Sequence, residues 1–535
     1  KGLIALLLLF FAVICMARSP DQPRLVVLLS IDQMRPDRLS SNLPGGLGRL
    51  VREGYVFENA TLDHALTNTC PGHVVMSTGR NPANTGIASN SYIDHATGKE
   101  RYCVDDPGSD HVVLFSYETR SPRAITKSTL ADWLKSASPD SRVYAVSGKD
   151  RAAITMGGHR ADGVFWFHQS LGRFTTSSYY MKALPDYIET MNGDDFFSDG
   201  FGAEVPARWE HAAGSHRPDD FVGEGTMHLR VSGHPLNTGA GKANQFYFSP
   251  YLDLATGELV RRILVEEELG KRGVTDFLAV SFSATDLIGH LYGPFSAESE
   301  DGLAHLDAEM GRLLDLLDDQ TEGNYILALS ADHGVQPLPE WQREQNDMKC
   351  PVGNGRIDVS EAGRSLYARA IAALKLPPGK ARELIGLSAA GLTINAKTAA
   401  ELGLDVDDVV SKIEKIYELD PAFVSAWTQA EILSQDGKFA RLYRNSMIPD
   451  ITGHIMPQAH EDCLVWRPEG TTHGSPWLYD RAVPLIFFGK GIRSGRSDSG
   501  AHSIDMAPTL GTKAGLVIPG DLDGRVRKEA FEARD

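Results

Sequence analysis

Four short segments of this chain carry carboxylates and imidazoles in positions from which they could share metal ions. Ser30-Ile31-Asp32 ends one apolar run, and Ser283-Ala284-Thr285-Asp286 with His290 follows another. Ser330-Ala331-Asp332-His333-Gly334 ends a third run, and Thr471-Thr472-His473-Gly474 lies in a glycine-rich loop near the far end. Asp32, Asp286, Asp332, His290, His333 and His473 divide into two sets of three oxygen and nitrogen donors, the kind zinc accepts, each metal keeping an open position. Asp286 and His290 stand four apart, so they share a face wherever that segment is helical. Each residue alone has an ordinary use, since an acid after a strand often caps the next helix. Independent caps would not supply both donor types at successive strand exits.

A hydroxyl stands ready beside that donor set. In Ala65-Leu66-Thr67-Asn68-Thr69-Cys70-Pro71-Gly72-His73, Pro71 suits the first turn of a helix and Gly72 permits close backbone approach. Thr69, just ahead of the helix, would meet free N–H groups and the positive dipole end, both of which favour a bound phosphoryl group. A metal on its oxygen would lower its pKa and make Thr69 a nucleophile. Asn90 could hydrogen-bond a phosphate oxygen. Lys149 and Arg151 alternate directly after an apolar run and offer a point charge and a planar fork to the same anion.

The elements that must position these residues are legible as buried runs ended by polar residues. Leu25–Ile31, Val143–Val146, Phe277–Phe282, Tyr325–Leu329 and Pro484–Phe488 read as parallel strands. Leu303, Leu306, Met310, Leu313, Leu314 and Leu317 form one helical stripe, and Leu259, Ile263 and Leu264 form another within about 252–269. Strands alternating with helices predict a three-layer αβα sandwich with a largely parallel central sheet. Sites in such sheets form outside the carboxyl ends of the strands, where Asp32, Asp286 and Asp332 fall. Residues about 155–250 and 336–470 depart from the pattern. The expected organisation is therefore a core over 24–335 and 471–520, an insertion over about 155–250, and a cap subdomain over 336–470.

Composition sets the outer bounds. The chain has 535 residues, 42% hydrophobic and 23% charged, with no repeat or low-complexity tract. A net charge of −17 argues against non-specific nucleic-acid binding, while leaving anionic small substrates open because a metal site sets its own field. Lys1 followed by an apolar stretch to Ala17 reads as a secretory signal peptide over residues 1–18, too short to span a bilayer comfortably. The mature protein is then exported, periplasmic or secreted. Cys70, Cys103, Cys350 and Cys463 form an even set suited to two disulfides; of three possible pairings, Cys70–Cys103 with Cys350–Cys463 is preferred.

With these segments in order from Leu25 to about Pro519, the chain resembles the alkaline phosphatase superfamily, most closely the phosphate-irrepressible (PafA-like) bacterial alkaline phosphatases. The resemblance implies two Zn²⁺ per chain. One is held by Asp286, His290 and His473; the other is held by Asp32, Asp332 and His333 and joined by the Thr69 oxygen. It also implies that Asn90, Lys149 and Arg151 contact the non-bridging phosphate oxygens, and that the segment from Ser503 is the last core helix. Sulfatases carry a modified Cys in Cys-x-Pro-x-Arg, whereas here Thr69 and His73 occupy the first and last positions. Phosphodiesterases and nucleotide pyrophosphatases of the same superfamily share the Thr and metals but lack the Lys-x-Arg pair, and they are the alternative reading. The implied function is hydrolysis of phosphate monoesters through a phospho-threonine intermediate, favoured by alkaline conditions. The expected partners are small phosphate monoesters, with no nucleic acid, no stable membrane insertion after signal removal, and a monomeric chain.

Overall fold

The computed structural model describes residues 22–95, 97–210, 221–225, 234–235 and 242–531. The expected signal peptide, Cys15 included, lies outside the described residues. The central sheet is built from β1 (Leu25–Ile31), β2 (Tyr55–Phe57), β3 (Val143–Ser147), β4 (Gly163–His168), β5 (Arg173–Thr175), β6 (Asp276–Phe282), β7 (Tyr325–Ser330), β8 (Leu485–Gly489) and β9 (Gly495–Ser497). These nine strands lie in the order β9-β2-β8-β7-β1-β6-β3-β4-β5. All ladders among β7, β1, β6, β3 and β4 are parallel.

Two strands correct the sequence expectation. β8 is antiparallel to both neighbours, β7 and β2, where the run from Pro484 reads as parallel. A strand buried on both faces is a continuous apolar run in either direction, so composition carries no sense of direction. β4, Gly-Val-Phe-Trp-Phe-His, falls in the stretch expected to be an insertion, yet it pairs with β3 inside the sheet, and β5 closes that edge.

Helices cover both faces. α1 (Gly46–Glu53), α2 (Thr69–Thr78), α3 (Leu130–Ala137), α4 (Asp150–Gly157), α5 (Tyr251–Glu266), α6 (Ala284–Tyr292), α7 (Ala297–Thr321) and α8 (Met506–Lys513) divide between two buried clusters. Leu25, Val27 and Leu29 of β1 face the apolar sides of α1, α5, α6 and α7. Val26 and Leu28 point the other way, to α2, α3, α4 and α8. The period-two alternation of a strand thus serves both layers of an αβα sandwich.

A second body lies between β7 and β8. An antiparallel sheet runs in the order Ile385–Ser388, Gly391–Ile394, Ile455–Ala459, Phe423–Thr428. It packs with the helices Val359–Leu374 and Val406–Glu418 around its own cluster, including Leu366, Leu392, Ile413 and Ile455. This body reaches the core at Ala65 and Leu66, which pack with Leu442, Tyr443 and Met456 just before α2. No helix among the described residues is long and apolar enough to cross a membrane.

Candidate active site

The strand register levels the site. Ser30 of β1 lies opposite Ser281 of β6 and Ser330 of β7, and Ser281 lies opposite Ser147 of β3. Four neighbouring strands therefore stop on one row of serines. Two residues past that row come Asp32, Asp332 and Lys149; Asp286 follows on the first turn of α6. All four side chains are buried. Burying three carboxylates is costly unless cations neutralise them.

Each acid is oriented from behind. Asp332 Oδ1 accepts the N–H groups of Gln33 and His333, both at 3.0 Å, which leaves Oδ2 directed into the cluster. Gln33 also donates its amide to Asp286 Oδ1 at 2.7 Å. Burial alone would raise the Asp32 and Asp286 carboxyls. Lys149 and His73 near Asp32, and His290, Lys149 and His473 near Asp286, outweigh it and hold both well below the usual carboxylate range.

The three expected imidazoles share one arrangement. His290 Nδ1 lies 2.8 Å from the Thr471 carbonyl, His333 Nδ1 lies 2.9 Å from that of Gly334, and His473 Nδ1 lies 2.7 Å from that of Thr67. A carbonyl can only accept, so Nδ1 carries the proton and the Nε2 lone pair is left to face the carboxylates. Nε2 of His290 and of His473 lie 3.3 and 3.6 Å from Asp286 Oδ1, and His333 Nε2 lies 3.1 Å from Asp332 Oδ2. Burial pushes the His290 and His473 imidazoles down, keeping them neutral. His333 moves up, because Asp332 beside it outweighs burial.

The tightest triplets differ from the expected ones. Asp286, His333 and His473 present donor atoms within 4.8 Å of one another, and so do Asp32, His73 and Asp332. His333 therefore sits between the two groups, and His290 approaches the same Asp286 oxygen as His473. His73 was absent from the expected donor set. It is fully buried, with Nδ1 2.8 Å from the Thr69 carbonyl and Nε2 2.9 Å from Ser281 Oγ and 3.1 Å from Asp32. The signal for it was Thr69-x-x-x-His73, a four-residue spacing on one helix face.

The donor set suits metal ions. Asp332 Oδ2 and His333 Nε2 are buried with no hydrogen-bond partner, yet they face one another, as two ligands of one cation would. Carboxylate oxygens and neutral imidazole nitrogens are the ligands divalent transition ions take.

Thr69 is the first residue of α2, one step later than expected, since Asn68 is the N-cap. A Cβ on Gly72 would lie 2.1 Å from the Asp332 carbonyl oxygen, so only glycine lets α2 press against the acid loop. Asn90 accepts the Cys70 N–H at 2.7 Å through Oδ1, which leaves its amide nitrogen as the end that can donate. Arg151 Nη2 stands 3.4 Å from Thr69 Oγ1. Lys149 is held by the acids. Its ammonium lies 2.8 Å from Asp32 and also pairs with Asp286, and these carboxylates keep it charged against burial.

Both disulfides form in the preferred pairing, Cys70–Cys103 and Cys350–Cys463. The first anchors the residue next to Thr69.

Residues 26–466 match the family described as type I phosphodiesterase / nucleotide pyrophosphatase. The chain is 31% identical to alkaline phosphatase PhoK of a Sphingomonas species, over 94% of this chain and 90% of that protein. It is 28% identical to alkaline phosphatase PafA of Elizabethkingia meningoseptica, over 94% of each. A crystal structure of wild-type alkaline phosphatase PafA superposes with a TM-score of 0.85 at 26% identity, covering 96% of this chain and 99% of that one.

Proposed function

Because the chain belongs to the type I phosphodiesterase / nucleotide pyrophosphatase family, within the alkaline phosphatase superfamily, we propose that it is a metal-dependent alkaline phosphatase hydrolysing phosphate monoesters. The observation that carries this reading is the convergence of three imidazoles, each with Nδ1 on a carbonyl, and three carboxylates at the strand ends beside Thr69. Arg151 on the Thr69 hydroxyl favours the monoester over the diester branch, because a monoester carries about one more negative charge on the transferred group.

Asp286, His290 and His473 would hold one Zn²⁺, and Asp32, Asp332 and His333 would hold a second beside Thr69 Oγ1. Bound zinc supplies positive charge that lowers hydroxyl pKa values and stabilises a departing oxygen. Thr69 Oγ1 gives its proton to solvent and attacks phosphorus, the bond to the leaving oxygen breaks, that oxygen takes up a proton from solvent, and phospho-Thr69 and an alcohol result. Arg151 and the Asn90 amide hold non-bridging oxygens, where charge resides in a loose transition state, and Lys149 adds a second buried positive charge. Water then cleaves phospho-Thr69, releasing phosphate and restoring the hydroxyl. Two disulfides suit an oxidising compartment, so we place the enzyme in the periplasm or outside the cell.

The test is hydrolysis of p-nitrophenyl phosphate by the metal-loaded chain and by Thr69→Ala. The wild type is expected to turn over and Thr69→Ala to lose at least about 10³-fold in kcat, as removal of a nucleophile does. Substantial activity in Thr69→Ala removes Thr69 from the role.

A further inference from the structure

We propose that Tyr102 is a positioning residue for the phosphate-binding Arg151, and that the Cys70–Cys103 disulfide fixes it to the nucleophile's helix. The proposal rests on the monoesterase reading above. Tyr102 and Cys103 end a hairpin formed by Ser91–Ile93 and Glu100–Tyr102. The Cys70–Cys103 bridge joins this hairpin to the residue following Thr69. Asn90 is held in the same place, with its side-chain oxygen on the Cys70 N–H at 2.7 Å and its carbonyl on the Cys103 N–H at 3.0 Å.

The Tyr102 hydroxyl sits between two groups of opposite charge. It donates to Asp150 Oδ1 at 2.6 Å and accepts from Arg151 Nη1 at 3.3 Å. Arg120 braces the tyrosine and Asp150, its guanidinium 4.9 Å above the Tyr102 ring and its Nε 2.8 Å from Asp150 Oδ2. A guanidinium is a rigid planar fork, so holding one terminal nitrogen sets the direction of the other. With Nη1 on the Tyr102 oxygen, Nη2 faces Thr69 Oγ1 at 3.4 Å. The same Asp150 oxygen also accepts the Arg151 backbone N–H at 2.7 Å, so hydroxyl and guanidinium hang from one anchored carboxylate. The tyrosine touches neither Thr69 nor any candidate metal donor in these contacts, so its effect passes through Arg151.

The experiment compares wild type, Tyr102→Phe, Arg151→Ala and the double variant, all metal-loaded. Tyr102→Phe keeps the ring under Arg120 and removes only the hydroxyl. Its kcat/KM for p-nitrophenyl phosphate is expected to fall about tenfold or more, the size of one charge-assisted hydrogen bond. Inhibition by inorganic phosphate should weaken by a similar factor, with a smaller loss on bis-p-nitrophenyl phosphate and melting temperature little changed. In the Arg151→Ala background the same substitution should change kcat/KM less than about twofold, because coupled residues are not additive. Cys70→Ser with Cys103→Ser should shift phosphate inhibition in the same direction. Wild-type phosphate inhibition in Tyr102→Phe, or an equal loss with and without Arg151, overturns the proposal. A wild-type enzyme that does not cleave the monoester overturns the parent reading instead, so the two failures are distinct.

Discussion

Removing Arg151 should change substrate preference more than it changes the fold. In Arg151→Ala, Asp150 still pairs with Arg120 at 2.8 Å and with the Tyr102 hydroxyl at 2.6 Å, so no buried carboxylate is stranded. Arg151 Nε makes no hydrogen bond, and little stability is lost with it. A phosphoryl group on Thr69 Oγ1 puts non-bridging oxygens beside Nη2, which stands 3.4 Å from that oxygen. Each charge-assisted hydrogen bond contributes about 1.5–3 kcal/mol. A fork meeting two anionic oxygens then contributes about 3–6 kcal/mol, or roughly 10² to 10⁴ in kcat/KM. On a diester one of those oxygens is esterified, and a single bond, roughly 10 to 10² in rate, is at stake. The ratio of p-nitrophenyl phosphate to bis-p-nitrophenyl phosphate kcat/KM should therefore fall by about 10–10². Steady-state kinetics on both substrates, with melting temperature as the folding control, measures it. Equal losses on both esters would show that Arg151 only supports the structure, and the charge-counting argument would fail.

Dialysis against a chelator should abolish monoesterase activity and lower the melting temperature, with zinc restoring both to about two ions per chain; full activity in metal-free protein refutes the donor assignment. Gly72→Ala should cost about 1–3 kcal/mol and much of the activity, since the new Cβ meets Asp332 backbone 2.1 Å away and neither segment can yield freely; near-wild-type denaturation and kinetics would contradict it. Cys350→Ser with Cys463→Ser opens a loop with a sequence separation of 113 residues. Chain-entropy arguments put that bridge at about 5 kcal/mol, so urea unfolding should show a clear loss centred on the cap. Burial raises the Asp253 carboxyl to about 7, although it accepts the Ser283 and Ala284 N–H groups at 2.8 and 3.0 Å. Its folded pKa lies above the unfolded value, so the stability it confers is complete below about pH 4 and is lost as pH rises through about 7, at up to about 1.4 kcal/mol per unit. Asp253→Asn keeps an acceptor without the titration, so its stability relative to wild type should rise across that window; a pH-independent difference would refute the shift.

What was legible in the sequence follows from how each feature is encoded. A parallel strand buried on both faces and stopped by a charge is a local signal, and Leu25–Ile31 appears as β1 with those bounds. Val143, Phe277 and Tyr325 likewise open or nearly open β3, β6 and β7. The short strands β2, β5 and β9 have three residues each, too few for a period to register. β4 was missed because its Phe-Trp-Phe run ends in His168 and leads to no acid. Pairing direction, as for β8, is a tertiary property. The donors were legible because metal chemistry restricts residue type, whereas His73 and Tyr102 act by touching other side chains, which only the folded chain brings together.

The position of Lys149 is where structure adds most to the sequence argument. Read as a tripeptide, Lys149-Asp150-Arg151 suggests two cations aimed at one anion. In the fold Lys149 leaves the serine row at the same offset as Asp32 and Asp332, and its ammonium lies between the Asp32 and Asp286 carboxylates. Arg151, two residues on and already in the first turn of α4, points toward α2 and Thr69. The two positive charges differ in form. Arg151 has the rigid fork that a trigonal array of phosphoryl oxygens requires, and its orientation is locked from outside the acid cluster through Tyr102 and Arg120. Lys149 has a flexible stem and a compact charge, suited to adding a second point charge beside the same anion. Its removal should disturb metal content and folding as well as catalysis, whereas removal of Arg151 should act on catalysis alone.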